Sequence, residues 1–453
     1  MNTSRKRVVV VGGGLAGIAA ALRCADAGCD VVLLESRPWL GGLTHSFRRS
    51  GLRVDNGQHV FMRCCTSYRA LLDRLGTSDL VTLQDRLDVP VRSTRDERTA
   101  RLRRVGLPAP LHLAPALTRY RWLSPSERVR LGRTLLALGH VDRYDDATDR
   151  ISFGEWLTAR GQSARAVETV WDLIGTATLN ARADNASLAL AATVFQVGLL
   201  DSASAADLGW SRVPLRQLHG DAAAAALEAA GADVRTRTKA TDIARSGDGW
   251  TVRAGDSAYE ADDVVLAVPS RNAERLLPQG AVRMPPGWSD TLGAAPIVNL
   301  HVVYDRQVME EPFVAVVDGS VQWVFDRTEA SGLTCGQYVA ASLSAADTVV
   351  DRPTARLREE YLPEFEALLN PSGTAEIRDF FVTREREATF RPAPGSARLR
   401  PSTTMLDGLH LAGAWTATGW PATMEGAVRS GDSAAAHVLA RRLSAHVERE
   451  AVA

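Results

Sequence analysis

Val8-Val9-Val10-Val11-Gly12-Gly13-Gly14-Leu15-Ala16-Gly17 is the stretch on which the fold turns. Four β-branched residues with no polar break read as a strand covered on both faces. The glycines at 12, 14 and 17 fit G-x-G-x-x-G. Gly12 permits the tight turn, Gly14 lets the backbone approach a pyrophosphate, and Gly17 lets the next helix pack close to the strand. That helix is predicted from Leu15 to Ala27, its first N–H groups aimed at the phosphates. Gly28 ends it, Asp30 to Leu34 form a second strand, and Glu35 closes that strand where a carboxylate accepts ribose hydroxyls. An acid there disfavours a 2′-phosphate, so NADP is not expected. The glycines alone describe any tight turn. Strand, glycines, helix, strand and terminal acid in that order describe a dinucleotide site.

The far end of the chain completes this beginning. Leu409-His410-Leu411-Ala412-Gly413 is a second apolar strand, and it runs through Ala414 into a small-residue helix start ending at Gly431. A chain that opens and closes this way is most simply one split dinucleotide domain with other material inserted. Arg5-Lys6-Arg7 before an apolar run resembles the start of an export signal. Three consecutive glycines break that run and a full βαβ unit follows, so no export signal is read.

With 453 residues the chain exceeds one ordinary core, and two domains are expected. Its formal net charge of zero gives no indication of a nucleic-acid partner. No apolar run approaches the ~18 residues of a membrane span. The five cysteines lack metal-ligand spacing, so no metal site is expected, and reduced thiols in a cytoplasmic protein are the simplest reading. Lysine occurs only at 6 and 239. Between Leu107 and Leu138, leucines and aromatics (Tyr120, Trp122) alternate with arginines, among them Arg119, Arg121, Arg128, Arg130 and Arg133. Two readings stay open: helices lying on an anionic membrane surface, or a solvated arginine face over a core-facing leucine stripe.

Ser36-Arg37-Pro38-Trp39-Leu40-Gly41-Gly42-Leu43 resembles the FAD-binding pattern of the amine oxidase and phytoene desaturase superfamily. Asp55-Asn56-Gly57-Gln58-His59, Leu179-Asn180, Ala186-Ser187 and the terminal Trp415-Thr416-Ala417-Thr418-Gly419 with Pro421-Ala422-Thr423-Met424-Glu425-Gly426-Ala427-Val428 narrow it. Together they resemble its squalene-associated branch, the hydroxysqualene dehydroxylases. That resemblance implies an α/β fold: a Rossmann-like FAD-binding domain with an inserted α+β substrate domain. The FAD-binding part is expected at 1–78, 208–272 and 396–453, and the substrate part at 79–207 and 273–395, with membrane-surface helices near 104–140.

FAD is the implied cofactor. Its implied shell is Gly12, Gly14, Leu15, Ala16, Gly17, Glu35, Ser36, Arg37, Gly41, Gly42, Leu43, Gly57, Gln58, His59, Val234 (through its backbone, to adenine) and Ala267. From the terminal segment come Gly413, Ala414, Trp415, Pro421, Ala422, Thr423, Glu425, Gly426 and Ala427. The implied substrate is a C30 isoprenoid lipid, with the protein peripheral on the inner face of the cytoplasmic membrane. The implied reaction reduces hydroxysqualene to squalene, with hydride from reduced flavin and the hydroxyl lost as water. A phytoene-type desaturase runs hydride transfer the other way, and the shared fold does not separate the two. An amine oxidase is a third reading. Many of those place a lysine-held water at the flavin, and this chain has no lysine after 239.

Asp55 and His59 are the candidate proton donors: a raised buried carboxyl or an imidazolium serves. The alternative is structural, with Asp55 accepting backbone N–H bonds in a turn and His59 packing. Glu425 is expected to cap the last helix. The chain departs at Gly413-Ala414 from the pattern that the resemblance implies, since flavoproteins of this type usually carry Gly-Asp there. The loss of one polar contact there, about 1–3 kcal/mol if the partner is left unpaired, weakens cofactor retention more than the fold.

Overall fold

The computed structural model describes residues 5–96, 98–402 and 404–452, so the outermost residues of the expected FAD-binding segments lie outside it. In chain order, the elements that bear on the site are β1 (Arg7–Val11), α1 (Leu15–Asp26), β2 (Asp30–Leu34), β3 (Leu52–Asp55), α2 (Thr66–Leu75), α3 (Pro125–Leu138) and α4 (Asp172–Leu179). They continue with β4 (Asp233–Arg235), β5 (Asp263–Leu266), β6 (Ala294–Tyr304), β7 (Gln337–Leu343), β8 (Ile377–Phe390), β9 (Leu409–Leu411) and α5 (Met424–Val452).

The strand read from Val8–Val11 is the middle of a five-stranded parallel sheet of order β4-β2-β1-β5-β9. Successive side chains on a strand point to opposite faces. Val8 and Val10 accordingly enter one core with Ile18, Leu22 and Val438. Val9 and Val11 enter another with Ile243, Trp250 and Leu411. All four valines are buried, which is why the run shows no alternation. Helices α1 and α5 cover the first face. Gly431 of α5 lets them close: a Cβ there would lie 2.1 Å from the carbonyl oxygen of Ala16. The other face carries a three-stranded antiparallel sheet (Asp242–Ser246, Gly249–Ala254, Ser257–Ala261).

The strands of the parallel sheet come from three widely separated stretches of chain, and a buried carboxylate pins them. Asp263 of β5 lies 2.7 Å from Lys6 Nζ beside β1, 2.6 Å from His410 Nε2 on β9 and 3.2 Å from Arg441 Nε on α5. A buried carboxylate costs several kcal/mol unless it is paired, and here each partner belongs to a different element.

The second body is a seven-stranded sheet ordered β8-β6-β7, then Trp323–Asp326, Phe313–Val317, Asp88–Ser93 and Thr99–Arg103. Helices between residues 111 and 200 pack beside it around Phe153, Trp171 and Phe195. Two short motifs noted in the sequence act here. Asn180 ends α4 in the left-handed region (φ 57°), and its amide donates to Ala295 O and Thr389 Oγ1 while accepting from Ala345 N–H. Ser187 donates to Asp149, whose other carboxylate oxygen accepts from Ala397 N–H. The first motif joins a helix to the sheet, and the second joins a helix start to two neighbouring helical turns.

Candidate active site

A single cavity of about 1340 Å³ begins at the glycine turn after β1 and runs into the second body. Pockets for one drug-sized ligand occupy roughly 300–1,000 Å³, so this one has room for a dinucleotide and a long second molecule together. At the nucleotide end the glycines do separate jobs. A Cβ on Gly12 (φ 110°) would sit 2.4 Å from Ala267 O, and one on Gly17 would sit 1.9 Å from Gly12 O. A Cβ on Gly14 would meet nothing closer than Gly42 Cα at 3.9 Å, so Gly14 borders open space. Gly42 is itself left-handed (φ 56°) and lies against Gly14.

No side chain caps α1, and its N-terminal residues Leu15 and Ala16 line the cavity. Uncapped N–H groups facing a cavity make an anion site. Glu35 is held beside them: one carboxylate oxygen accepts Gly13 N–H (2.7 Å) and the other Arg37 N–H (2.7 Å) and Ser36 Oγ. Two buried nitrogens in the wall, Trp39 Nε1 and Gln58 Nε2, have no hydrogen-bond partner among the described residues. A flavin dinucleotide supplies what this cradle lacks: a pyrophosphate for the helix end and acceptors for the orphaned nitrogens. The residues present fit it.

The segment after β3 crosses the cavity wall. Asn56 knots it in place, donating to Leu43 O (2.7 Å) and accepting His45 N–H (3.2 Å). Its own carbonyl receives Asn299 Nδ2 of β6 (3.2 Å) and Thr383 Oγ1 of β8 (3.1 Å). Gly57, Gln58 and His59 then line the cavity. His59 is drawn down to about 4, chiefly by burial, with Arg327 and His45 adding to the effect against Asp55. The imidazole is therefore neutral near pH 7, which corrects the expectation of an imidazolium donor.

Asp55 is corrected more strongly. It does not line the cavity. Its carboxylate is buried against Arg327 Nη2 (2.7 Å) and also accepts Ser46 Oγ (2.6 Å) and Leu215 N–H (3.0 Å). Arg327 continues to Ser211 O. A carboxylate spent on these donors and turned from the cavity holds the 55–59 segment; it does not reach the cavity's contents.

The terminal segment forms the facing wall. Gly413 (φ 137°) donates to Ser430 Oγ, and a Cβ on it would strike the Trp415 indole at 2.4 Å. Trp415 Nε1 donates to Val268 O. Arg400, which the sequence reading missed, organises this loop. Its buried guanidinium donates to the carbonyls of Ala414, Trp415, Thr416 and Trp420 and lies 4.3 Å from the Phe390 ring. Burial lowers it to about 10, so it remains a cation. The helix expected directly after β9 starts only at Met424. Thr423 Oγ1 accepts Gly426 N–H at that helix start. Glu425 instead reaches across and accepts Ser67 and Tyr68 N–H (3.2 and 2.7 Å), capping α2, whose own N-cap residue makes no side-chain cap bond. The expected self-cap is thus a cap on another helix.

Of the predicted cofactor shell, Gly17, Val234, Pro421 and Gly426 do not line the cavity. Gly17 and Gly426 are spent on backbone packing, against Gly12 O and Pro421 O respectively. The strand β4 ends at Arg235, the chain turns through Arg237 (φ 55°), and residues 238–241 line the cavity in place of Val234. The remaining predicted residues border it. Deeper, the wall is Val89, Leu102, Ile174, Phe195, Leu208 and Phe325. At its mouth Leu111, Val129 and Leu136 are over half exposed (55%, 56% and 54%) and also line the cavity. Tyr120, Trp122 and Leu123 are core residues, so the aromatics of the 107–138 stretch do not face outward.

A parallel nucleotide sheet, an uncapped helix over a glycine turn and a cavity shared with a second body define a dinucleotide-dependent oxidoreductase. Residues 15–439 match the model of the flavin containing amine oxidoreductases, and the chain belongs to that family. It is an FAD-dependent enzyme. Hydroxysqualene dehydroxylase of Rhodopseudomonas palustris is 29% identical, spanning 96% of this chain and 99% of that protein. Hydroxysqualene dehydroxylase of Sinorhizobium fredii is 30% identical over 95% and 97%. A 15-cis-phytoene desaturase of Solanum lycopersicum is 24% identical over 95% of this chain and 77% of its own length. Among solved structures, a putrescine oxidase variant superposes with a TM-score of 0.72 at 20% identity, covering 96% of this chain and 99% of that one. Cyclohexylamine oxidase from Brevibacterium oxydans gives 0.71 at 18%, covering 97% and 100%. The structural likenesses speak for the fold alone.

Proposed function

We propose that this enzyme reduces hydroxysqualene to squalene, releasing the hydroxyl as water, as a step of squalene and hopanoid formation. The observation that carries the reading is the continuity of the cavity, from the cradle at the glycine turn into an apolar branch lined by Val89, Leu102, Ile174 and Phe195. The relatives of that name, which match along nearly the whole chain, support it. When bound in reduced form, FAD supplies the hydride. The chain holds it through the α1 N-terminus, Gly14, Gly41, Gly42 and Glu35 at the nucleotide end, and through Gln58, His59 and the 413–427 wall nearer the substrate. Apolar side chains exclude water and orient the polyisoprene. Residues around the parallel sheet (1–78, 208–272, 396–453) form the cofactor domain, and the rest the substrate domain.

The amine oxidase reading has little support from the residues: β6 offers Ile297 and Asn299 to the cavity, and no lysine. A desaturase working on a related polyene draws support from the phytoene and zeta-carotene desaturase relatives. A substrate this insoluble arrives from a lipid phase, so contact with the inner face of the cytoplasmic membrane belongs to the same reading. Leu111, Val129 and Leu136 at the mouth, and eight arginines against the single acid Glu127 in residues 101–140, suit an anionic bilayer. No helix among the described residues is long and apolar enough to cross a membrane.

The test is an anaerobic incubation of purified enzyme carrying reduced FAD with hydroxysqualene, squalene or phytoene, offered separately and analysed by mass spectrometry. Squalene formed from hydroxysqualene is the expected result. Untouched hydroxysqualene beside desaturation of another polyene overturns the proposal.

A further inference from the structure

Losing a hydroxyl needs an acid, and neither Asp55 nor His59 is placed or poised to be one. Among the described residues the cavity wall carries four carboxylates: Glu35, Glu385, Glu387 and Glu425. Three are already engaged. Glu35 accepts Gly13 and Arg37 N–H, Glu425 caps α2 and pairs with Arg429, and Glu387 is exposed and pairs with Arg271 (2.7 Å). Other proton carriers in the wall are poorly suited. Burial keeps His45 low as it does His59, the hydrogen bond to Cys64 and burial push the Cys65 thiol up, and Lys239 belongs to the 238–241 strip tied to Glu35 O by Thr238 N–H. Glu385 remains.

Its position is set by strand register rather than by a loop. Glu385 of β8 pairs with Ile297 of β6, and Thr383 pairs with Asn299, so these four residues share one face. Ile297, Asn299 and Glu385 all line the cavity. Asn299 and Thr383 clamp that face to Asn56 O, which puts Glu385 on the same wall as the Asn56–His59 segment. Directly beyond Glu385 the register slips, with Ala295 next pairing with Thr389. Such an irregularity bends the strand and re-aims side chains, a device common beside active sites.

We propose that Glu385 is the acid that protonates the leaving hydroxyl; the assignment rests on the reaction proposed above. As the allylic C–O bond breaks, both bonding electrons leave with oxygen, Glu385 gives that oxygen its proton, and water departs. The electron-poor carbon gains a hydride, whose two electrons come from reduced FAD in the same cavity. Glu385 is left as a carboxylate and recovers a proton from solvent. Burial favours its protonated form; the Glu387 backbone N–H and then Arg37 oppose it, and the Glu387 carboxylate adds a smaller upward push, while Ile297, opposite on β6, carries no charge. The acid form is lost as pH rises through that raised value, so the rate falls on the alkaline side.

The experiment compares wild type, Glu385→Gln and Glu385→Asp as FAD-loaded enzymes. Glu385→Gln is expected to keep FAD occupancy and spectrum. On adding hydroxysqualene, its reduced flavin should reoxidise anaerobically about 10²–10⁴-fold more slowly, the usual contribution of a general acid, and Glu385→Asp should recover part of the rate. With the corresponding allylic diphosphate, whose leaving group needs no proton, Glu385→Gln should match wild type within a few-fold. Infrared difference spectra, which need no turnover, should show a protonated carboxyl at neutral pH in wild type and not in Glu385→Gln. Equal rates on the alcohol, equal losses on both substrates, or no such carboxyl band overturns the assignment. Wild-type enzyme inert toward hydroxysqualene sinks the reaction and this role together, whereas wild-type turnover matched by the variant sinks this role alone.

Discussion

The substitution Asp55→Asn separates a structural carboxylate from a catalytic one. In the native chain Asp55 neutralises Arg327 at 2.7 Å in a buried site and also accepts Ser46 Oγ and Leu215 N–H. The introduced amide is nearly the same size, but its single oxygen cannot serve all three donors, and the guanidinium loses its counter-charge. Removing one partner of a buried pair costs about 3–5 kcal/mol, mostly from the charge left behind. For 453 residues unfolding together, an entropy near 2.1 cal/mol/K per residue makes each degree of Tm worth about 1 kcal/mol, so Tm should drop by about 3–5 °C. Because Asp55 anchors the segment leading to Gln58 and His59, FAD occupancy should fall as well. The rate per bound flavin should stay near wild type. A second change, Arg327→Met, removes the stranded cation and should recover most of the loss in the double variant. Thermal melts, flavin-to-protein absorbance ratios and single-turnover kinetics on the same preparations decide it. An Asp55→Asn enzyme with unchanged Tm and full flavin, but hydride transfer slowed a hundredfold, refutes the structural assignment.

Gly14→Ala should fold normally and bind FAD more weakly, since its Cβ meets only open cavity, whereas Gly17→Ala, with its Cβ 1.9 Å from Gly12 O, should fail to give soluble enzyme; expression, circular dichroism and flavin titration compare them. Glu127 is held down at about 2 by bonds from Ser163 and Ser124 at the start of α3. Its depressed value means a stabilising contribution present above the ordinary glutamate range near 4.3 and lost as pH falls toward about 2. Amide exchange in the first turn of α3 should accelerate over that acid window in wild type and stay flat in Glu127→Gln. Vesicles of phosphatidylglycerol and phosphatidylcholine should capture the wild-type enzyme by flotation. Arg119→Gln/Arg121→Gln/Arg130→Gln should partition roughly 100-fold less, each basic side chain near an anionic surface contributing about 1 kcal/mol. No capture by anionic vesicles, or equal capture of the variant, removes the membrane from the picture.

What could be read along the chain was whatever local geometry enforces. Val8–Val11 shows burial on both faces because each strand side chain alternates between two cores. Gly12, Gly14 and Gly17 are legible because turn, approach and packing are contacts over a few residues that only a missing Cβ allows. Glu35 and the paired Gly41-Gly42 follow by spacing. The failures share one cause. Asp55 meets Arg327 272 positions away, Glu425 meets Tyr68 357 positions away, and Arg400 is an unremarked arginine until the 413–421 loop folds over it. A carboxylate's job depends on its donors and on which way it faces. Those come from strand register and helix packing between remote segments, and pairings of that kind leave no periodic mark on the amino-acid string. So nucleotide binding was written locally, whereas Asp55 as anchor, His59 as a neutral wall and Glu385 as a half-buried acid in the cavity wall emerged only once the two bodies enclosed one cavity.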